Sequence, residues 1–362
     1  DDIAGIPAKK SLPKIAAVGK ISEDKAREKL KEYEIPITRL AFFEAVEKDN
    51  FEVFELFVKA GADINTERTT PLGVSPLCWA VDFGSKRIID YLLDNGADIN
   101  KRNRESGMTP LVRAISHKRW DVVERLLNMG ATAKQTKEQH PDHMISILSG
   151  TPLAYSLMYN NPKLVKRLLK NGASVNERYI YYRTPLTEAV RDGYPANVKV
   201  ILEAGANLDA ETQFGITALL VCFSSEEPIN HEIAELLLKA GASTKYTPNR
   251  PTPLFRAVMK GDGKAIRILK KYGYNINERY RIGHNNIPMN IVNAQLRDLI
   301  KNGGTPLMLA AMQGKYGAAK ALVELGADLE ATVVTDKVSY TVKDLAKKSG
   351  NSMLINYLVK HK

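Results

Sequence analysis

The pentapeptide Gly-Ala-Asp-Ile-Asn stands at residues 61–65 and again at 96–100, and six looser copies follow it. They are GATAK from 130, GASVN from 172, GANLD from 205, GASTK from 241, GYNIN from 273 and GADLE from 326. Successive glycines lie 35, 34, 42, 33, 36, 32 and 53 residues apart, so the unit is about 33 residues long and two intervals are stretched. A unit of that size cannot bury an apolar face by itself. It becomes stable by stacking on its neighbours, which restricts the chain to a repeat architecture.

A second signature precedes most of these glycines: SPL at 75, TPL at 109, 151, 184, 252 and 305, TAL at 217 and TVKDLA at 341. Ser or Thr at an N-cap accepts from an orphan backbone N–H, Pro suits the first helical position, and Leu starts the apolar face. The pattern breaks about eight residues on, often at Gly as in AVDFGSK, and a second run such as IIDYLLDNG carries apolar residues at helical spacing. The closing Gly suits a left-handed C-terminal cap, and the Asp, Asn or Ser after it holds a turn. Each unit therefore reads as helix, tight turn, antiparallel helix and extended loop.

These motifs resemble the ankyrin repeat, which has the same length, the Thr-Pro-Leu helix start and the Gly-Ala-Asp-x-Asn ending. The resemblance implies an all-α solenoid of about nine helix-turn-helix units with hairpin-like loops over residues 38–360. Units start near 38, 75, 109, 151, 184, 217, 252, 305 and 341, with insertions at 131–150 and 274–304. Residues 1–37 form an N-terminal arm and capping helix, for which SEDKAREKLKEY supplies Ser22 as N-cap and Ala26, Leu30 and Tyr33 on one face. The stretch from Lys25 to Val46 is similar to bacterial members, which often place such a helix before the first unit. One departure recurs. The family's turn-bracing His after Thr-Pro-Leu is replaced by Cys78, Val112, Ala154, Thr187, Leu220, Phe255 and Met308, so packing must compensate.

Composition narrows the function classes. At 44% hydrophobic and 26% charged the 362 residues read as globular, and a formal charge of +11 favours acidic partners. No run approaches the roughly 18 apolar residues a membrane helix needs. Cys78 and Cys222, far apart in apolar surroundings, read as buried thiols. The chain begins Asp-Asp instead of Met, so an upstream segment is expected to have been removed, and the compartment stays open between cytoplasmic and bacterial export.

The resemblance implies a non-catalytic scaffold that binds a protein through its concave groove and loop tips. The groove positions are the two residues before the turn that ends each first helix, among them Phe83, Met158 and Tyr159. In the loop Tyr179–Arg183, alternation along an extended strand sends Tyr179 and Tyr181 one way and Ile180 and Tyr182 the other. Tyr181 and Arg183 are expected near the tip and Tyr182 inward, while Phe214 tips the next loop. The candidate partner-binding residues are thus Phe83, Met158, Tyr159, Tyr181, Arg183 and Phe214. No catalytic residue, metal site or cofactor is expected: HPDH at 140–143 reads as a solvated loop and GDGK at 261–264 as the helix–helix turn. Nucleic acid is the disfavoured rival partner, argued from Lys101, Arg102, Arg104, Arg113, Lys118 and Arg119 beside aromatics. A third reading has an exported bacterial scaffold grip its target with the insertions, of which MNIVNAQLRDLI is expected to be helical. Partner identity and oligomeric state are not legible.

Overall fold

The computed structural model describes residues 12–13, 15–68, 73–103, 107–134, 151–224, 228–243, 252–280, 294–335 and 337–361. A lone helix, α1 (Glu23–Glu32), comes first. Pairs follow: α2 (Arg39–Glu47) with α3 (Phe51–Lys59), α4 (Pro76–Phe83) with α5 (Lys86–Asp94), α6 (Pro110–Ser116) with α7 (Trp120–Asn128), and α8 (Pro152–Leu157) with α9 (Pro162–Lys170). They continue as α10 (Pro185–Asp192) with α11 (Pro195–Glu203), α12 (Ala218–Ser224) with α13 (His231–Lys239), and α14 (Pro253–Lys260) with α15 (Gly263–Lys271). After α16 (Ala294–Lys301) come α17 (Pro306–Met312) with α18 (Tyr316–Glu324), and α19 (Val342–Ser349) with α20 (Ser352–Lys360). The strands among the described residues, β1 (Thr332–Thr335) and β2 (Val338–Thr341), pair antiparallel with Val333 opposite Tyr340.

Helix starts follow from one piece of local chemistry. The hydroxyls of Ser75, Thr109, Thr151, Thr184, Thr217, Thr252, Thr305 and Thr341 each accept from the backbone N–H three residues on, at 3.1–3.4 Å. The residue standing where histidine is expected is therefore the one whose amide is capped. Its side chain is core filling at Cys78, Val112, Ala154, Phe255 and Met308, all 2% exposed or less. At Thr187 the hydroxyl also accepts from Thr184 N–H at 2.8 Å, which closes a capping box.

Three polar devices join successive repeats. The loop residues Asn65, Asn100, Asn176, Asp209 and Asn277 accept, through Oδ1, from the amides of Asp98, Thr132, Asn207, Ser243 and Asp328 in the following loops, at 2.8–2.9 Å. The residue at the helix–helix turn reaches back to a carbonyl at the turn of the preceding repeat: Ser85 to Val46, Arg119 to Val81 and Asp82, Asn230 to Gly193, Asn351 to Gly314. An arginine just after the loop Asn pins backbone: Arg102 to Gly107, Arg178 to Tyr182 and Glu211, Arg279 to Gly303 and Thr332. These bonds satisfy loop carbonyls and amides that no regular ladder would otherwise engage.

Contacts gather the chain into two compact bodies, the first running to Tyr159 and taking in Lys163–Ser174, the second Asn160–Pro162 and everything from Val175 onward. In the first, the second helices bury Val53, Phe54, Ile88, Leu92, Val123 and Leu126. Each such side chain contributes roughly 1.5–3 kcal/mol. Its outer end is closed by α1, with Ala26 and Leu30 fully buried, and by the arm, whose Val18 and Gly19 carbonyls accept from Lys59 Nζ at 2.7 and 2.8 Å. In the second body Tyr280 meets Phe255 edge to face at 5.1 Å. There α15 and α18 pack directly together although the insertion lies between them in sequence, and Gly263 sits against the Gly317 carbonyl.

Candidate functional site

In the first body the C-terminal turns of α4, α6 and α8 carry the candidate residues. Phe83 is 48% and Met158 43% exposed. Phe83 lies on Trp79, ring centroids 5.0 Å apart, and the Arg68 guanidinium covers the Trp79 ring at 4.2 Å. Beside them Asp82 pairs with Arg113 through one oxygen, and its other oxygen, which has no hydrogen-bond partner, lies 3.3 Å from His117 Nε2. Tyr159 is half-buried: its hydroxyl donates to Ser116 O at 3.1 Å, its ring meets Trp120 edge to face at 5.5 Å, and Lys118 Nζ sits 5.2 Å from its centroid. Burial pushes the Tyr159 phenol up. It acts as a brace as much as a surface residue.

The second body corrects the reading of the tyrosine loop. Residues Ile180–Tyr182 form a 3-10 turn, not an extended strand, closed by Tyr179 N–H donating to Arg183 O at 2.8 Å. Tyr181 and Tyr182 take left-handed backbone angles, φ 61° and 56°, so alternation fails and both rings point out, 52% and 60% exposed. Tyr182, expected inward, is on the surface. Tyr179, expected to share a face with Tyr181, is buried and donates to Glu177 Oε1 at 2.6 Å. Phe214, 62% exposed, stands beside Tyr181 with centroids 5.9 Å apart, and Gln213 N–H donates to Tyr181 O at 2.8 Å.

Arg183, expected near the tip, turns inward instead. Its side chain is only 17% exposed, and Nε lies 3.1 Å from the carboxylate of Glu188, which is 2% exposed and also pairs with Arg191. Burial pushes the Glu188 carboxyl up against the lowering pull of Arg191 and Arg183, and Asp192 is raised by burial too. The charge of Arg183 is neutralised inside the fold. A buried carboxylate needs such partners, and sequence spacing alone could not show which arginine Glu188 would take.

Of the basic cluster, Lys101 pairs with Glu67 at 3.0 Å, Arg102 and Arg119 bind carbonyls, and Arg113 pairs with Asp82. Arg104, His140, Asp142 and His143 lie outside the described residues, as do 135–150 and 281–293 of the insertions. The end of MNIVNAQLRDLI is the helix α16. GDGK is a helix junction, with Gly261 capping α14 and Asp262 capping α15. Burial pushes the thiols up to about 11 at Cys78 and about 12 at Cys222, so both stay protonated near neutral pH. Sequence reasoning missed Tyr182 and Trp120 as surface groups and the arginine pins as structure. The recurrence of Asn-Glu-Arg-Tyr at 176–179 and 277–280 was the available signal for the pins.

The helix pairs and loop bonds belong to a known family. Profiles described as "Ankyrin repeats (3 copies)" match residues 42–139, 135–212 and 186–280, and "Ankyrin repeat" matches 302–333. This chain is an ankyrin-repeat protein. It is similar to fowlpox virus ankyrin repeat protein FPV031, 33% identical over 135 residues that make up 37% of each chain. It is also similar to ankyrin repeat protein nuc-2 of Neurospora crassa, 29% identical over 196 residues, 54% of this chain and 17% of that one. The chain thus spans little more than a third of the first relative's length and less of the second's. The human ASB11 ankyrin repeat domain matches with a TM-score of 0.49 and 21% identity over 70% of this chain and 98% of that one. These relatives are viral, fungal and human, and they lend no support to a bacterial type. Ankyrin repeats typically serve as protein–protein interaction scaffolds and are usually non-catalytic. No helix among the described residues is long and apolar enough to cross a membrane.

Proposed function

We propose that this ankyrin-repeat chain is a non-catalytic protein-interaction module, with Tyr181, Tyr182 and Phe214 as contact residues of the second body and Phe83 and Met158 as those of the first. The observation that carries the reading is the tyrosine tip. Two consecutive non-glycine residues are held in left-handed backbone while presenting their rings to solvent, an arrangement that costs free energy and adds nothing to the core. Exposed aromatic and Met side chains are the usual anchors of interfaces. Tyr159 and Arg183 support these surfaces from within.

Affinity capture with mass spectrometry from the source cell tests this. The parent chain should retain a specific protein, and Tyr181→Ser with Phe214→Ser should weaken its retention at least tenfold with the melting temperature unchanged. Retention by these variants and by Phe83→Ser with Met158→Ser alike would discard both surfaces. Loss of retention only on deleting 281–293 would assign recognition to the insertion. A nucleic-acid partner would show as binding that collapses between low and physiological salt.

A further inference from the structure

Both tryptophans of the chain, Trp79 and Trp120, border the exposed strip of the first body that carries Phe83, Met158 and Tyr159. The strip is continuous through named contacts: Arg68 on Trp79, Trp79 on Phe83, Asp82 to His117, and Ser116 O to Tyr159. It is apolar at Phe83 and Met158 and cationic between and beside them. Resting on the reading of this chain as a protein-interaction module, we propose that this strip binds an acidic peptide segment bearing large apolar side chains.

Charge complementarity carries the choice of partner. Arg68, Lys118 and Arg119 have no carboxylate partner among the described residues: the first lies on a ring, the second over a ring, and the third binds the Val81 and Asp82 carbonyls, which leaves its charge in place. Asp82 is paired with Arg113 through one oxygen and faces His117 with the other. Glu67, next to Arg68 in the chain, is paired with Lys101, and Asp121, next to Trp120, is exposed. The second body differs in kind, because there Arg183 and Arg191 are balanced by Glu188 and Asp192. The first strip therefore presents uncompensated positive charge next to open apolar side chains. Carboxylates on a partner would find cations already held in place by aromatic rings and carbonyls, while its apolar residues covered Phe83 and Met158.

A polynucleotide fits less well. Tracking a phosphate backbone needs several exposed cations in succession, whereas only Lys118 among these three is exposed.

The two tryptophans make the test direct. Full-length protein is titrated, with fluorescence readout, against an acetylated Asp/Glu peptide containing a central Phe and Leu, the same peptide with Lys for each acid, the same acids with Ser for Phe and Leu, and an oligo-thymidine strand. The acidic apolar peptide should give a saturable change, and the Lys and Ser peptides should bind at least tenfold more weakly. Lys118→Glu and Phe83→Ser should each weaken it at least tenfold, with melting temperatures held as the check on folding. Equal binding of the Lys peptide, indifference to both substitutions, or tighter binding of the oligonucleotide with a steep salt slope would overturn the proposal. The module reading fails separately. If the parent chain captures no specific protein, that reading falls. If capture depends on Tyr181 and Phe214 and the acidic peptide does not bind, it stands and the acidic-segment proposal falls.

Discussion

Tyr181 and Tyr182 occupy backbone angles that glycine adopts without steric penalty and other L-residues adopt at a cost of about 1–2 kcal/mol. Tyr182→Gly should therefore leave the protein as stable as the parent or up to about 1 kcal/mol more stable in denaturant titration. The same substitution should weaken retention of the partner, and the opposite pairing of results would show the ring to be structural. Glu278 gives a titration prediction. Burial raises its carboxyl, and the hydrogen bond from the Thr252 hydroxyl at 3.0 Å only partly offsets this. The folded chain thus keeps the proton in a range where the unfolded chain has released it. Stability from this group is fully present below the ordinary glutamate range and lost as pH rises through the raised folded value. Glu278→Gln keeps an acceptor for Thr252, so melting temperature against pH should be flatter than the parent's and higher near neutrality.

Between elements, a close backbone approach to test is α15 against α18. A Cβ built on Gly263 would meet the Gly317 carbonyl at 2.6 Å, and neither backbone can give way without separating the helices. Gly263→Val should lower stability by about 2 kcal/mol or more, read as a lower denaturant midpoint at unchanged slope. Gly193→Ala is the contrast: a Cβ there meets nothing within 4 Å, so only its φ of 77° matters and the cost should be about 1 kcal/mol. Elements were the most legible level of this chain. Thr109, Thr252 and their counterparts sit three residues from the amide they cap, so the helix starts depend on neighbours in sequence and can be read from it. The tyrosine loop depends on partners far along the chain. Arg178 reaches Glu211 O, and Gln213 N–H reaches Tyr181 O, and these bonds accompany a left-handed turn where alternation predicted a strand. Arg183 turns inward toward Glu188, a near neighbour in sequence that is buried by packing that spacing does not reveal.

At the scale of the whole molecule, stability in a repeat chain is approximately a sum of local terms and nearest-neighbour contacts. Gly263→Val should accordingly raise amide exchange in α14, α15, α17 and α18 and leave α2 to α7 at parental rates, as peptide-resolved hydrogen exchange would show. Uniform acceleration across both bodies would contradict that locality. The bond from Asp328 N–H to Asn277 Oδ1, spanning 51 residues, has a further consequence. Because that contact and the α15–α18 face set how the next repeat arrives, the length of chain between Tyr280 and Ala294 is decoupled from the register of the array. Such a point is open to evolutionary tinkering: segments can be lengthened, exchanged or acquired there while the repeats on either side keep their alignment.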